Sequence, residues 1–262
     1  MADQTTLQID DLGVATITIV RPEIHNAFDE KVIDELNRRF ESVEDDDEVR
    51  LVVVAARGRT FCAGADLDWL RRMAEYDNDQ NMNESRHLGD MLHRLNVMSK
   101  PTMALVQGPA YGGGVGLVAA CDIAIGVRSA TFSLSEVKLG LIPAVISPFV
   151  IGAVGARQAR RFFLTAERFD ALEAHRIGLL HLVVNDEGEM RAAAERFARM
   201  FLDTAPGAVA ESKRLIADVQ GLAIDSELME ATAKRIADRR ASEEAKEGIS
   251  AFFDKRKPNW TD

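Results

Sequence analysis

Two short runs of small residues and one glutamate in apolar company are the parts of this chain best suited to chemistry. The first run is Ala63-Gly64-Ala65 and the second is Gly112-Gly113-Gly114, about fifty residues further on. Each follows a short apolar stretch with strand character, Leu51 to Ala56 and Thr102 to Val106, and each leads toward a segment with helical character. Strand, small-residue turn and helix put backbone N–H groups at a helix N-terminus, where partial positive charge collects and no side chain blocks approach. If the two strands are neighbours in one sheet, an N–H from each run can meet on a single oxygen. Two such donors form an oxyanion hole, and one donor is worth about 3 kcal/mol in the transition state. Small residues are required, since a branched side chain would hold the oxygen beyond hydrogen-bonding distance. The competing reading is that these glycines pack a helix tightly against a sheet, and the segment alone leaves both open.

An oxyanion needs a proton-transfer partner, and Glu136 is the candidate. It is flanked by Phe132, Leu134, Val137, Leu139, Leu141 and Ile142. A carboxylate in that company loses hydration, which raises its pKa toward working pH. The alternative is a glutamate at a strand end that faces solvent.

The 262 residues are 47% apolar and 28% charged, enough for a sizeable core and against disorder. A net charge of −10 argues against nucleic acid as a partner. Cys62 and Cys121 sit in apolar surroundings without metal-ligand spacing, which reads as burial in a reducing compartment. No apolar run approaches the ~18 residues of a membrane span, and residues 1–10 lack the pattern of a signal segment. The expectation is a cytoplasmic protein with no metal and no membrane partner.

The elements that must position these groups follow from periodicity. Residues 5–20 read as a hairpin turned at Asp11-Leu12-Gly13. Asp29 caps a helix whose stripe is Val32, Ile33, Leu36, Phe40 and Val43, and the acidic run Glu44 to Glu48 reads as a solvated loop. A helix begins near Asp66, residues 74–82 read as a mobile polar loop, and a long helix spans 84–98. A strand covers 121–127 and an extended piece 131–134. Helical spacing then holds over 155–167, 170–177, 187–202, 206–219, 222–239 and 242–253. The order implies an α/β chain, a core of repeated β-β-α units followed by helices. The division is a core with the site over 1–200 and a helical region over 201–262.

Five motifs carry a resemblance that runs nearly the whole length. HNAF at 25–28, FCAGADL at 61–67, QGPAYGGGVGLVAACD at 107–122, SEVKLGLIP at 135–143 and the terminal AFFDKRKPNW together resemble the enoyl-CoA hydratase/isomerase (crotonase) superfamily. The resemblance implies a β-β-α superhelix core with a C-terminal helical trimerisation region, assembled as a homotrimer or as a hexamer of paired trimers. It implies that the N–H groups of Ala65 and Gly113 hold the thioester oxygen of an acyl-CoA as an enolate forms. Coenzyme A, part of the substrate and not a separate cofactor, is expected near His25, Ala27, Ala63, Asp66 and Leu67. Gly112, Gly116 and Pro143 are expected around the acyl group, with Tyr111 lining its pocket and Trp69 and Met73 beside it. Phe252 and Lys255, in the terminal Phe252-to-Lys257 segment, are expected to reach a neighbouring subunit's CoA.

One departure matters. Typical hydratases of the family carry two glutamates, one shortly after the triple glycine and one where Glu136 stands; here the first position is Gly116. A single carboxylate suffices to move a proton between C2 and C4, which favours an isomerase. The stretch Ser135 to Ala171 points the other way. It is similar to bacterial methylglutaconyl-CoA and isohexenylglutaconyl-CoA hydratases of leucine and acyclic-terpene degradation, whose substrates carry their own carboxylate. That carboxylate, or a water in the room left by Gly116, would do the missing glutamate's work. The expected activity is therefore hydration of a carboxylated 2-enoyl-CoA such as 3-methylglutaconyl-CoA, with the Δ3-Δ2 isomerase as the alternative.

Two rival readings remain. Gly114-x-Gly116-x-x-Ala119 opens a helix after a strand with Glu136 about twenty residues on, the form of a dinucleotide fingerprint. It is central in the chain, whereas the fingerprint opens the first β-α-β unit, and it leaves the AGAD loop unexplained. A CoA-binding protein without catalysis is the other. His87 and His93 do not share a helix face, and His25, His175 and His181 read as capping, packing or surface residues.

Overall fold

The computed structural model describes residues 3–261. The hairpin forms as expected: β1 (Thr5–Ile9) runs antiparallel to β2 (Val14–Ile19). Asp10 fixes the turn by accepting from the N–H groups of Leu12 at 2.9 Å and Val14 at 3.0 Å. Helix α1 (Glu30–Glu44) starts on Asp29, whose carboxylate accepts from the N–H of Val32 at 2.9 Å. Its stripe is fully buried, and each such side chain contributes roughly 1.5–3 kcal/mol.

The chain continues through β3 (Leu51–Ala56), α2 (Leu67–Ala74), α3 (Asn78–Val97), β4 (Thr102–Val106), β5 (Ala110–Tyr111), α4 (Gly113–Ala120), β6 (Ile123–Val127) and β7 (Thr131–Ser133). After it come α5 (Ser147–Thr165), β8 (Phe169–Asp170), α6 (Ala171–Arg176), β9 (Leu182–Val184) and the helices α7 (Glu187–Leu202), α8 (Pro206–Val219), α9 (Ser226–Arg240) and α10 (Glu243–Asp254). One sheet has the order β1-β2-β3-β4-β6-β9, parallel beyond the first hairpin, and a smaller one the order β5-β7-β8. Strands β3 and β4 are adjacent and parallel, with Val53 opposite Met103. Both small-residue runs therefore leave the sheet at the same, C-terminal end of their strands, the condition for a shared oxygen. The β3 run Leu51 to Val54 is buried on both faces, as a parallel strand covered by helices requires.

Three local expectations are corrected. Residues 74–82 are mostly helical, because Asp77 and Gln80 form a capping box that starts α3 well before Glu84. Glu44 belongs to α1 and is not solvated loop: its carboxylate accepts from the Ser99 N–H at 3.0 and 3.1 Å. Helix α5 starts at Ser147, and Gly155, expected as its first residue, breaks it internally at φ 75°.

The C-terminal helices are tied to the sheet layer. Arg50 donates to the carbonyls of Trp260 at 2.9 Å, Thr204 at 2.8 Å and Phe201 at 3.2 Å. Lys213 on α8 pairs with Asp122 at 2.7 Å, while the same carboxylate oxygen accepts from the N–H and hydroxyl of Thr102. Among the described residues, no helix is long and apolar enough to cross a membrane.

Candidate active site

Beyond β3 and β4 the two runs stay zipped together. Cys62 and Ala110 form a parallel bridge, with the Tyr111 N–H donating to the Cys62 carbonyl at 2.9 Å. Ala65 and Gly113 each follow that bridge at the same offset, so the two runs enter the site in step. A second bridge pairs Phe28 with Ala65: the Phe28 N–H donates to Gly64 at 2.7 Å and the Asp66 N–H donates to Phe28 at 2.6 Å. This parallel bridge uses the Gly64 carbonyl and the Asp66 N–H, the groups on either side of Ala65, and leaves Ala65's own N–H out of the ladder. Gly64 makes the turn at φ 92°, where a Cβ would come within 3.1 Å of the Tyr111 carbonyl.

Gly113 supplies the other donor. It is the first residue of α4, where an N–H has no intrahelical acceptor. The preceding Gly112 N–H is already spent on the Ser133 carbonyl at 3.0 Å. The Phe28 ring lies against Gly113, 3.0 Å from where a Cβ would stand, so Phe28 braces one donor by its ring and the other by its backbone.

Glu136 opens a single 3-10 turn (Glu136–Leu139) after β7. Its Oε1 lies 3.1 Å from the position of a Cβ on Gly112, which has φ 48°. Only glycine both tolerates that backbone and leaves room for the carboxylate. Oε2 is buried and has no hydrogen-bond partner among the described residues. Lost hydration raises the Glu136 pKa above its ordinary 4.5, partly offset by a bond to its own N–H.

These groups face a cavity of about 350 Å³. Trp69, Leu70 and Met73 of α2 and Leu88 of α3 form one wall; Leu139, Leu141 and Ile142 form another. Pro143, Val145 and Ile146 close it beside Ser135 and Glu136. Glu84 and Glu136 are the charged lining residues; none is cationic.

A family model described as enoyl-CoA hydratase/isomerase matches residues 10–262. The chain belongs to that family. A crystal structure of an enoyl-CoA hydratase from Shewanella pealeana superposes with a TM-score of 0.95 at 42% identity, over 98% of this chain and 96% of that one. Relatives of both reaction types lie at nearly equal distance. The 1,2-epoxyphenylacetyl-CoA isomerase of Escherichia coli is 33% identical over 95% of each chain. The short-chain-enoyl-CoA hydratase of Clostridium acetobutylicum is 32% identical over 93% of this chain and 92% of its own. The family and its crotonase fold are thus shown, while hydratase and isomerase are not separated by likeness.

Within this family member, Ala63, Ala65, Leu67, Gly112, Gly113, Glu136 and Pro143 line the cavity, as do the flanking Trp69 and Met73. Leu67 is 72% exposed and Ala63 half-buried, so they sit toward solvent. His25 is exposed, with Nδ1 3.2 Å from the Thr60 hydroxyl, and Ala27 is buried behind the loop. Asp66 caps α2, accepting from the Asp68 N–H at 2.8 Å. Phe252 and Lys255 stand exposed in and just after α10 and are not among the residues lining this chain's cavity.

Two expectations about the acyl pocket fail. Tyr111 does not line the cavity: its hydroxyl lies 3.1 Å from that of Thr131 and its ring carries the Arg168 guanidinium, both outside the pocket. The room expected at Gly116 is absent. A Cβ there would stand 2.5 Å from Ile146 Cγ2 and 3.0 Å from Ile146 Cβ, so the Ile146 side chain fills it. The same packing removes the dinucleotide reading, since Gly114 also abuts protein, its Cβ position lying 2.6 Å from the Cys62 carbonyl.

Sequence reasoning missed the residues that hold the loops. Asn26 donates to the carbonyls of Arg57 and Thr60, each at 2.7 Å, and accepts from the Arg21 N–H at 2.9 Å. Gln107 donates to the carbonyls of Ala56, Gly58 and Thr60. Arg21 pairs with Asp29 at 2.9 Å and Asp66 at 3.5 Å, and donates to the Ala27 carbonyl at 2.8 Å. Their signal was an Asn and a Gln beside strand-ending turns, which is common in loops that do no chemistry. Cys62 lies under the first run with burial pushing its thiol up to about 12, so it is no nucleophile.

Proposed function

We propose that this family member hydrates a 2-enoyl-CoA reversibly, with Glu136 as the one protein group that carries protons. The observation that carries the reading is the half-buried Glu136 carboxylate, its Oε2 unpartnered, in one cavity with Ala65 and Gly113. The N–H groups of Ala65 and Gly113 donate to the thioester oxygen and stabilise the enolate. Water adds its oxygen to C3 as one of its O–H bonds breaks, and C2 gains a proton; no oxidant or reductant is involved. A carboxyl group with a raised pKa passes between charged and neutral forms at little cost, which suits it to both halves of that exchange.

The finer proposal is a branched acyl group bearing its own carboxylate, such as 3-methylglutaconyl-CoA. Ile146 excludes a water at Gly116, so of the two substitutes for a second carboxylate the substrate's own is the one left. In a cavity without a lining cation, that group would be received by the Ser85 and Ser135 hydroxyls. The same filled space favours Δ3-Δ2 isomerisation for acyl groups that lack a carboxylate, and this is the second reading. Assembly as a homotrimer or hexamer is proposed too: α8 and α9 bury no side chain, and Ile216, Ile224 and Ile236 are exposed.

Loss of conjugated enoyl absorbance tests the reading, with 3-methylglutaconyl-CoA and crotonyl-CoA run in parallel. Fast loss with the first and slow loss with the second is expected. No loss with either, but new conjugation from a 3-enoyl-CoA, would replace the hydratase by the isomerase.

A further inference from the structure

We infer that Ile146 is the specificity-determining residue of this site: by filling the space over Gly116, it makes hydration depend on the acyl group's own carboxylate. The inference rests on the hydratase reading above.

Its basis is the stacking of two glycines on α4. Gly116 donates its N–H to the Gly112 carbonyl at 3.2 Å, so the two lie one turn, about 5.4 Å, apart on one helix face. Over Gly112 stands the Glu136 carboxylate, with Oε1 3.1 Å from the Cβ position. Over Gly116 stands Ile146, and Leu92 Cδ1 closes the space from α3 at 3.4 Å. The carboxylate and the apolar side chain are therefore neighbours along one turn of α4, facing one cavity. Ile146 is 3% exposed and precedes the first residue of α5, its carbonyl accepting from the Val150 N–H at 3.1 Å, so its position is fixed by the helix it caps.

The consequence is chemical. A water attacking C3 needs one group to take its proton and a second to hold its remaining hydrogen. On the Glu136 side there is a carboxylate; on the Ile146 side there is a methyl group that can do neither. A substrate carboxylate replaces the second group from the ligand's side, and an acyl group without one leaves the water held at one end only.

The test is a cycle of Gly116→Glu, Ile146→Gly and the pair, with Ile146→Ala as a milder partner. Melting temperature and hydration of crotonyl-CoA and 3-methylglutaconyl-CoA are measured for each. Gly116→Glu alone meets Ile146 and should lower Tm by about 5 °C without gaining crotonyl-CoA hydration. Gly116→Glu with Ile146→Gly or Ile146→Ala should recover most of that Tm and raise crotonyl-CoA hydration at least tenfold, while the ratio of 3-methylglutaconyl-CoA to crotonyl-CoA turnover falls. Non-additivity in both readouts is the expected signature. A folded double variant with no gain on crotonyl-CoA, or a Gly116→Glu variant that gains it with Ile146 intact, would overturn the inference. The unmodified enzyme separates the two failures: if it hydrates neither substrate, the function reading falls and this inference with it, whereas equal hydration of both substrates leaves the function reading standing and overturns the inference alone.

Discussion

At the second junction the free N–H of Gly113 comes with the helix, because the first residue of α4 has no acceptor behind it. At the first junction the free N–H of Ala65 comes from a single bridge to Phe28, held by side chains from elsewhere in the chain. Asn26, Gln107 and Arg21 hold the loop around Ala63-Gly64-Ala65 through carbonyl and carboxylate contacts, whereas the Gly112 turn is held by its own backbone and the Ser133 carbonyl. One donor is thus a property of secondary structure and the other of a network. Damage should spread differently through the two.

Of the changes that test this contrast, the largest effect is expected at the networked donor's turn. Gly64→Ala forces a side chain into φ 92° and toward the Tyr111 carbonyl, which moves the Ala65 N–H off the oxygen. Turnover should fall about 10²–10³-fold, the cost of one oxyanion donor, with substrate binding less affected. Equal loss in KM and kcat would point to general unfolding of the loop.

Next in size are the supports. Asn26→Ala leaves the Arg57 and Thr60 carbonyls without their donor and should cost about 1–3 kcal/mol of stability in denaturant unfolding. Its effect on turnover should be smaller than that of Gly64→Ala. If Asn26→Ala left stability unchanged, the contrast between the junctions would be lost.

The smallest effect is a pH trend that isolates the carboxylate at the helix-based junction. Glu136 has a raised pKa in the fold from lost hydration, so above its ordinary 4.5 the native state holds a proton that the unfolded chain has released. Stability is then lost as pH rises through the folded pKa. Glu136→Gln removes that loss, so the variant's Tm should gain on the unmodified protein from about pH 4.5 upward and level off at higher pH. A Tm difference that is flat with pH, or that reverses, would mean Glu136 is not desolvated.

The sequence was most informative where backbone alone decides. The β3 and β4 runs, the small-residue turns and the α1 stripe follow from alternation, glycine and periodicity, and Ala65 and Gly113 line one cavity. What was not legible depended on distant packing. Gly116 looked like empty space because a sequence shows a missing side chain but not the Ile146 that fills it from about thirty residues away. Tyr111 looked like a pocket residue by position, yet its hydroxyl found Thr131 on a neighbouring strand. The capping box at Asp77 was readable in principle from Asp77 and Gln80, and polar composition outweighed it.

The central claim is that Glu136 moves a proton at C2 while Ala65 and Gly113 hold the enolate. Deuterium incorporation at C2 of butyryl-CoA in D₂O, followed by NMR, reads that step without requiring hydration or isomerisation. The account predicts incorporation by the unmodified protein and its loss by about 10³-fold or more in Glu136→Gln, with butyryl-CoA still bound. Undiminished exchange in Glu136→Gln, or no exchange by an unmodified protein that binds the thioester, would contradict it.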